Sequence, residues 1–175
     1  METNNKQKRI LIIDDEENMR HMLQTMLTRY GYDIYTAQDG AEGLEKITDH
    51  PFDFVLCDVK MPRMNGMEFL KAGRDRLFST TVIMMSAYGS IDMAIEAMKL
   101  GAYDFVSKPF KNEEIRLTIK KAEERERLKK ENIELKDRIR RIGGDLSFGN
   151  MVGRSPAIQA VFSMALKVAR FDSTV

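Results

Sequence analysis

Short apolar runs alternate with helix-like segments from the start of the chain to about residue 110. This alternation is typical of repeated β-α units, which form a mostly parallel sheet covered by helices. The predicted strands are Arg9–Ile13, Asp33–Ala37, Phe52–Cys57, Thr81–Met85 and Tyr103–Val106. The predicted helices lie near 17–30, 40–49, 66–77 and 90–100. The pattern therefore predicts an α/β fold.

Turn residues at the ends of these segments support the predicted boundaries. Gly31 follows the first helix, Pro51 precedes the third strand and Gly101 follows the fourth helix. Five strands with helices on both faces fit a flavodoxin-like (βα)5 fold, which is a doubly wound parallel sheet. Right-handed crossovers then bring the carboxyl ends of all the strands to one edge of the sheet.

Polar residues follow four of the strands at that edge. They are Asp14, Asp15, Asp58, Ser86 and Lys108. Three aspartates close together repel one another, and at least one would become protonated unless a cation neutralises them. Mg²⁺ binds a few carboxylates together with water and a phosphate. We therefore predict a Mg²⁺ site formed by Asp14, Asp15 and Asp58 that can receive a phosphoryl group.

Asp58 lies at the centre of this group and could act as a nucleophile that becomes an acyl phosphate. Lys108 would supply a positive charge for phosphate oxygens, and the Ser86 hydroxyl would supply a hydrogen bond. Each residue alone also fits an ordinary structural role, since aspartates cap helices, serines occupy turns and loop lysines are solvated. Their occurrence at the ends of different strands favours the phosphate site.

Composition excludes several other classes of protein. The 28 basic and 27 acidic side chains leave a net charge of +1, which indicates no overall preference for nucleic acid or membrane. The single cysteine, Cys57, excludes an internal disulfide framework and is expected to be buried. A polar tail, 1–8, opens the chain, and no apolar stretch approaches the roughly 20 residues of a membrane-spanning helix. We expect a cytoplasmic protein without a membrane partner.

A charged segment without glycine or proline extends from Lys111 to Arg141 and predicts one long helix. Its first part is expected to pack on the sheet through Ile115, Ile119 and Ala122. In its distal part, 123–142, five residues are spaced by four and three, as in a coiled-coil seam with one polar core residue. They are Leu128, Asn132, Leu135, Ile139 and Ile142. We predict a helical coiled-coil linker that forms a homodimer; a single solvated helix with charge pairs is the alternative.

The combined motif resembles the receiver domain of bacterial two-component response regulators. The resemblance covers 9–122, and the residues that carry it are Asp14-Asp15, the segment Asp58–Gly66, Ser86-Ala87 and Lys108-Pro109. It implies that Asp58 accepts a phosphoryl group from a sensor histidine kinase. It also implies that Mg²⁺ is held by Asp14, Asp15, Asp58 and the carbonyl of Lys60.

The same resemblance implies how the signal travels. Ser86 takes the hydroxyl position and Phe105 the switching aromatic position. On phosphorylation, the loop that carries Ser86 would move inward and Phe105 would fill the vacated space. The fourth helix, fifth strand and fifth helix would then form the homodimer surface. The peptide between Lys108 and Pro109 is expected to be cis, as in many family members.

The segment 145–175 resembles the start of the central AAA+ domain of sigma-54-dependent activators of the NtrC type, through Phe148–Gln159. No GxxxxGK[ST] sequence follows, so we expect a fragment that ends before the ATP site. The longer protein would be an ATPase that acts with sigma-54 RNA polymerase and DNA. We favour a receiver dimer that restrains the ATPase until phosphorylation, over direct activation.

Three other functions compete with a phosphorylation switch. A phosphotransferase or phosphatase with an aspartyl-phosphate needs an acid-base aspartate two residues after its nucleophile, where this chain has Lys60. A flavin-binding module would find its phosphate repelled by Asp14 and Asp15. A dimerisation scaffold would not require the five polar residues at the sheet edge. We therefore predict a phosphoacceptor switch, and not an enzyme.

Overall fold

The computed structural model describes residues 7–87 and 90–143, together with 147–148, 151–152, 155, 157–158, 160–161 and 164–165. Most of the predicted polar tail, the side chain of Ile142 and most of the segment 145–175 lie outside the described residues. The predictions made for these parts of the chain therefore stay predictions.

Five parallel strands form one sheet in the order β2-β1-β3-β4-β5. The strands are β1 (Arg9–Ile13), β2 (Asp33–Ala37), β3 (Phe54–Asp58), β4 (Thr81–Ser86) and β5 (Asp104–Ser107). The helices are α1 (Glu17–Arg29), α2 (Gly40–Asp49), α3 (Gly66–Ala72), α4 (Ile91–Lys99) and α5 (Asn112–Gly143). Two short strands, β6 (Ser147–Phe148) and β7 (Met151–Val152), pair antiparallel. The predicted flavodoxin-like fold with a long C-terminal helix is confirmed.

An apolar layer covers each face of the five-stranded sheet because successive strand residues point to opposite faces. On β1, Leu11 and Ile13 join the layer that contains residues of α3 and α4. Ile10 and Ile12 join the layer that contains residues of α1 and α5. Every residue of β3 is buried, as expected for a central strand of a parallel sheet. Cys57 is buried there, as predicted.

Some predicted boundaries shift by a few residues. Helix α3 ends at Ala72, not near residue 77, because Gly73 caps it and the chain turns, with the amide of Leu77 bonded to the Gly73 carbonyl. Strand β3 begins at Phe54 and ends with Asp58, which pairs with Met85 of β4. Asp58 is therefore the last residue of its strand, where the ladder fixes its backbone.

The chain divides into two units, Met1–Glu123 and Glu124–Val175. In the first unit, Ile115, Ile119 and Ala122 of α5 are buried against the sheet, as predicted. In the second unit, the side chains of Leu128, Ile133, Leu135 and Ile139 are exposed. The coiled coil stays a prediction. None of the helices in the described part of the chain has the length and apolarity that a bilayer crossing requires.

Candidate functional site

The site lies at the carboxyl edge of four neighbouring strands. Asp14 directly follows β1, Asp58 ends β3, Ser86 ends β4 and Lys108 directly follows β5. Because β1, β3, β4 and β5 are adjacent in the sheet, the topology brings these four residues to one edge. All four were selected from the sequence.

Lys108 forms ion pairs with two aspartates at once. Its Nζ lies 2.7 Å from Oδ2 of Asp14 and 2.8 Å from Oδ1 of Asp58. All three side chains are at least nine-tenths buried. A single ammonium group thus joins the ends of β1, β3 and β5 in one charged cluster.

Backbone amides satisfy the other carboxylate oxygens of this cluster. Oδ1 of Asp14 accepts a hydrogen bond of 3.0 Å from the amide of Glu16, and Oδ2 of Asp58 accepts one of 3.0 Å from the amide of Lys60. Buried charges are tolerated when they are paired in this way. No buried side-chain nitrogen or oxygen within the described ranges lacks a partner.

Lys108 forms an ion pair with each of the two aspartates, Asp14 and Asp58, so the three side chains together carry a surplus of negative charge. Burial raises the pKa of Asp58, and the nearby Lys108 ammonium offsets this effect only in part. Burial by itself would lower the pKa of Lys108, but hydrogen bonds to Asp14 and Asp58 outweigh it and raise that pKa. The lysine therefore stays charged, and a further cation near Asp58 would stabilise its carboxylate.

An open cleft of about 470 Å³ begins beside this cluster. Asp15, which is exposed, and Lys60 line it together with the side chains of Met67 and Met93. The cleft thus combines an acidic end near the sheet edge with an apolar wall from α3 and α4. Asp15 differs from Asp14 in that solvent reaches its side chain.

These residues fit a Mg²⁺ ion rather than a metal held only by protein side chains. Among the described residues, no three His, Cys, Asp or Glu side chains gather closely enough to form a metal cage. Mg²⁺ needs no such cage, because one or two carboxylates with water and phosphate oxygens suffice. Asp15, Asp58 and the carbonyl of Lys60 offer the hard oxygen ligands that this ion prefers.

The proposed switch residues lie on β4 and β5. Ser86 is buried, and its carbonyl accepts a hydrogen bond of 2.7 Å from the amide of Lys108. Phe105 is half-buried and packs against the apolar layer that contains α3 and α4 residues. The peptide between Lys108 and Pro109 is cis, as expected from the resemblance.

Arg20 is a site residue that sequence reasoning missed. Its Nη1 donates hydrogen bonds of 2.7 Å to the carbonyl of Asp14 and 3.0 Å to the carbonyl of Asp15. The guanidinium therefore fixes the backbone of the loop that carries both acids. Arg20 is the fourth residue of α1, and its partners are backbone carbonyls, so the sequence contains no signal for this contact.

Gly66 shapes the site from behind. A Cβ atom at this position would collide with the carbonyl oxygen of Asp58 and would lie 2.8 Å from Cε of Met84. Helix α3 therefore starts in direct contact with the end of β3, and Asn65 caps it in a reciprocal pair with Glu68. The glycine at the end of the predicted motif is explained by this close approach.

Comparison with known proteins agrees with this geometry. The model of the response regulator receiver domain family matches residues 10–120. A CheY-like receiver domain protein from Methanospirillum hungatei JF-1 superposes with a TM-score of 0.67 and 30% identity, over 70% of this chain and 98% of that one. A CheX-CheY-BeF3-Mg complex from Borrelia burgdorferi gives a TM-score of 0.63 and 29% identity, over 66% of this chain and 88% of that one.

Two longer proteins also match. Regulatory protein AtoC of Escherichia coli K12 is 37% identical over 172 residues, and transcriptional regulatory protein ZraR of Klebsiella oxytoca is 37% identical over 166 residues. Each match covers 95% of this chain and 36% of the relative. The similarity therefore extends past the 10–120 match, and the chain spans about a third of the length of these relatives.

Proposed function

The chain belongs to the response regulator receiver family of two-component systems, and we propose that its Asp58 accepts a phosphoryl group from the phosphohistidine of a sensor histidine kinase in the cytoplasm. The observation that carries this proposal is the buried contact of Lys108 with both Asp14 and Asp58. It holds a carboxylate and a cation where a transferred phosphoryl group would need them.

The transfer requires one bond to form and one to break. A carboxylate oxygen of Asp58 attacks phosphorus, the new P–O bond forms, and the P–N bond breaks with its electron pair passing to the imidazole. Lys108 neutralises the phosphoryl oxygens, and the Ser86 hydroxyl donates a hydrogen bond to one of them. Asp15, Asp58 and the carbonyl of Lys60 would hold Mg²⁺, with Asp14 acting partly through water, and the ion would supply further positive charge.

The switch follows because phosphorylation of Asp58 gives the side chains of Lys108 and Ser86 new hydrogen-bond acceptors. A phosphoryl group on Asp58 offers new oxygens to both side chains, so the loop after β4 moves inward and leaves space for Phe105. Phe105 is already half-buried on β5, the outermost strand on one side of the sheet, which supports this role. Phosphorylation thereby becomes a change in packing near α4 and β5.

The packing change acts on a homodimer. On α4, Ile91, Ile95 and Met98 follow the helical spacing of four and three, and all three are exposed. Leu117 of α5 is exposed as well. These apolar side chains support a dimer surface formed by α4, β5 and α5, continued by the coiled-coil linker.

In the longer protein this dimer controls an attached AAA+ ATPase and transcription that depends on sigma-54 RNA polymerase at DNA. The proposal is supported by the match to the regulators AtoC and ZraR over nearly the whole chain. We favour a dimer that restrains the ATPase until Asp58 is phosphorylated, and the length of α5, Asn112–Gly143, supports this proposal.

Phosphorylation is tested by incubation with Mg²⁺ and a small phosphodonor, followed by intact mass measurement. The wild-type chain should gain one phosphoryl group, which alkaline hydroxylamine should remove because an acyl phosphate is labile. Asp58→Asn should gain none, since an amide oxygen is a poor nucleophile. Asp75→Asn, which changes an exposed aspartate in another loop, is the matched control and should be labelled like wild type. Equal labelling of Asp58→Asn and wild type would defeat the assignment.

A further inference from the structure

The loop between β3 and α3 contains a residue in an unusual backbone conformation. Arg63 has φ of 62°, and it is the only non-glycine residue with positive φ in the described part of the chain. Arginine has no side-chain group that bonds its own backbone in this region, as asparagine or aspartate does. The amide of Met64 donates a hydrogen bond of 2.7 Å to the carbonyl of Pro62, which closes a three-residue turn around Arg63.

The side chain of Arg63 also forms an ion pair with Asp39. Nη2 of Arg63 contacts Oδ2 of Asp39, although the arginine side chain is 60% exposed and the aspartate side chain only 1%. The other oxygen, Oδ1, accepts hydrogen bonds of 2.9 Å from the amide of Ala41 and 3.0 Å from the amide of Glu42, at the start of α2. Asp39 thus joins the start of α2 to the loop after β3.

The backbone repeats this connection one residue further along. The amide of Gly40 donates a hydrogen bond of 3.0 Å to the carbonyl of Met64. A Cβ atom at Gly40 would lie 2.8 Å from that same carbonyl oxygen, so the two segments could not approach this closely with a larger residue. The tip of the loop is therefore tied to α2 by consecutive residues on both sides.

The base of the loop is closed as well. The amide of Gly66 donates a hydrogen bond of 3.0 Å to the carbonyl of Val59, and the amide of Lys60 donates to Asp58. Lys60, whose carbonyl is the proposed Mg²⁺ ligand, lies between the closed base and the tied tip. Neither Asp39 nor Arg63 lines the cleft beside Asp58.

We propose that Asp39 and Arg63 are positioning residues that fix the β3–α3 loop, so that the Lys60 carbonyl is oriented for Mg²⁺ before the ion binds. The inference rests on the proposed Mg²⁺ site. When folding already orders the loop, Mg²⁺ binding does not cost the conformational entropy of ordering it. The affinity of the site for Mg²⁺ is therefore higher. Contacts that orient metal ligands from outside typically change the affinity about 10-fold or more.

The test is a Mg²⁺ titration of the whole chain. Binding is monitored through the amide chemical shifts of Asp15 and Lys60. Arg63→Gly removes the ion pair and suits the positive φ, so this variant should stay folded. Its Mg²⁺ dissociation constant should rise about 10-fold. Arg63→Lys, which keeps a cation near Asp39, should lie closer to wild type. Arg76→Gly changes an exposed arginine in the next loop and should leave the constant unchanged.

The outcomes separate this inference from the proposed function. If wild type binds Mg²⁺ and Arg63→Gly binds it equally well, the positioning role is wrong while the Mg²⁺ site stands. If Arg63→Lys is as weak as Arg63→Gly, the ion pair is not the cause. If wild type shows no shift at Asp15 or Lys60, the Mg²⁺ site itself is wrong, and the positioning role is wrong with it.

Discussion

Lys108 is the residue on which the charge balance of the site depends. Its ammonium group is the partner of both Asp14 and Asp58, and all three side chains are buried. Removing one charged partner leaves the buried charges of the others unpaired. This destabilises the fold by more than the ion pair stabilises it. The lysine therefore has a structural effect that is separable from any role in phosphoryl transfer.

Lys108→Met should lower the free energy of unfolding by about 1–3 kcal/mol without Mg²⁺, because Asp14 and Asp58 then face each other without a cation. Mg²⁺ should stabilise this variant more than wild type, since the ion replaces part of the missing charge. Urea unfolding with and without MgCl₂ measures both effects. Lys111→Met, at an exposed lysine three residues further, should stay within about 0.5 kcal/mol of wild type. An equal gain from Mg²⁺ in wild type and Lys108→Met would contradict the argument.

The positions of the site residues could be predicted from sequence, but most of their contacts could not. Asp14, Asp58 and Lys108 follow apolar strands, and parallel strands end at the same edge. The two-sided contact of Lys108 depends on side-chain packing at that edge, which the pattern of apolar residues does not describe. Arg20 and Arg63 were missed because their partners are backbone carbonyls and a buried cap residue, and neither leaves a periodic pattern in the sequence.

At the scale of elements, α5 is tied to the sheet by polar contacts as well as by its apolar face. The hydroxyl of Tyr32 donates a hydrogen bond of 3.1 Å to Glu123, and Nζ of Lys8 lies 3.2 Å from the same carboxylate. Glu123 is the last residue of the first unit. These contacts hold the helix against the amino ends of β1 and β2.

The partly buried hydroxyl of Tyr32 should make the stability of the fold depend on pH in the alkaline range. Burial, then the nearby charge of Glu123, raises the pKa of Tyr32 from 10.0 to about 12. A raised pKa means that the folded chain holds the proton more tightly, so the contribution is complete below pH 10 and is lost as pH rises through about 12. The difference in urea midpoint between wild type and Tyr32→Phe should therefore shrink from pH 10 to 12.

Tyr35→Phe is the control, because it removes a hydroxyl from the same strand without affecting Glu123. The difference in midpoint between wild type and this variant should not follow the pH course of Tyr32→Phe. A constant difference between wild type and Tyr32→Phe over that range would contradict the raised pKa of Tyr32.

The elements themselves were predicted with different precision for a physical reason. Strands β1, β3 and β4 were found because buried parallel strands are continuous apolar runs. Helix α3 was predicted too long because Phe69, Leu70 and Leu77 are all buried, which extends the apolar pattern beyond Gly73. The turn after Gly73 buries Leu77 without a helix, and the periodicity of apolar residues does not distinguish these two arrangements.

At the scale of the whole molecule, the exposed apolar residues of the distal α5 make self-association testable. If Leu128, Leu135 and Ile139 form a coiled-coil seam, wild type should be a dimer at high micromolar concentration. Leu135→Asp should be a monomer at the same concentration, because it would bury an unpaired charge at a core position. Sedimentation equilibrium measures the mass directly.

Lys136→Asp is the matched control, since it introduces the same residue at the adjacent, exposed position outside the seam. This variant should remain a dimer. A wild-type chain that sediments as a monomer, or equal masses for Leu135→Asp and Lys136→Asp, would contradict the coiled coil.

The order of the strands has a consequence for the synthesis of the protein. The site at the sheet edge takes residues from the ends of β3 and β4 and from the positions after β1 and β5, so Lys108 is the last of them to be translated. Ribosomes add about 5–20 residues per second, so roughly 2.5–10 s pass between the synthesis of Asp58 and that of Lys108. During that time Asp14 and Asp58 exist without the ammonium group that joins them. If Asp58 is the proposed phosphoacceptor, a growing chain has its complete site only after β5 has been translated and has taken its place in the sheet.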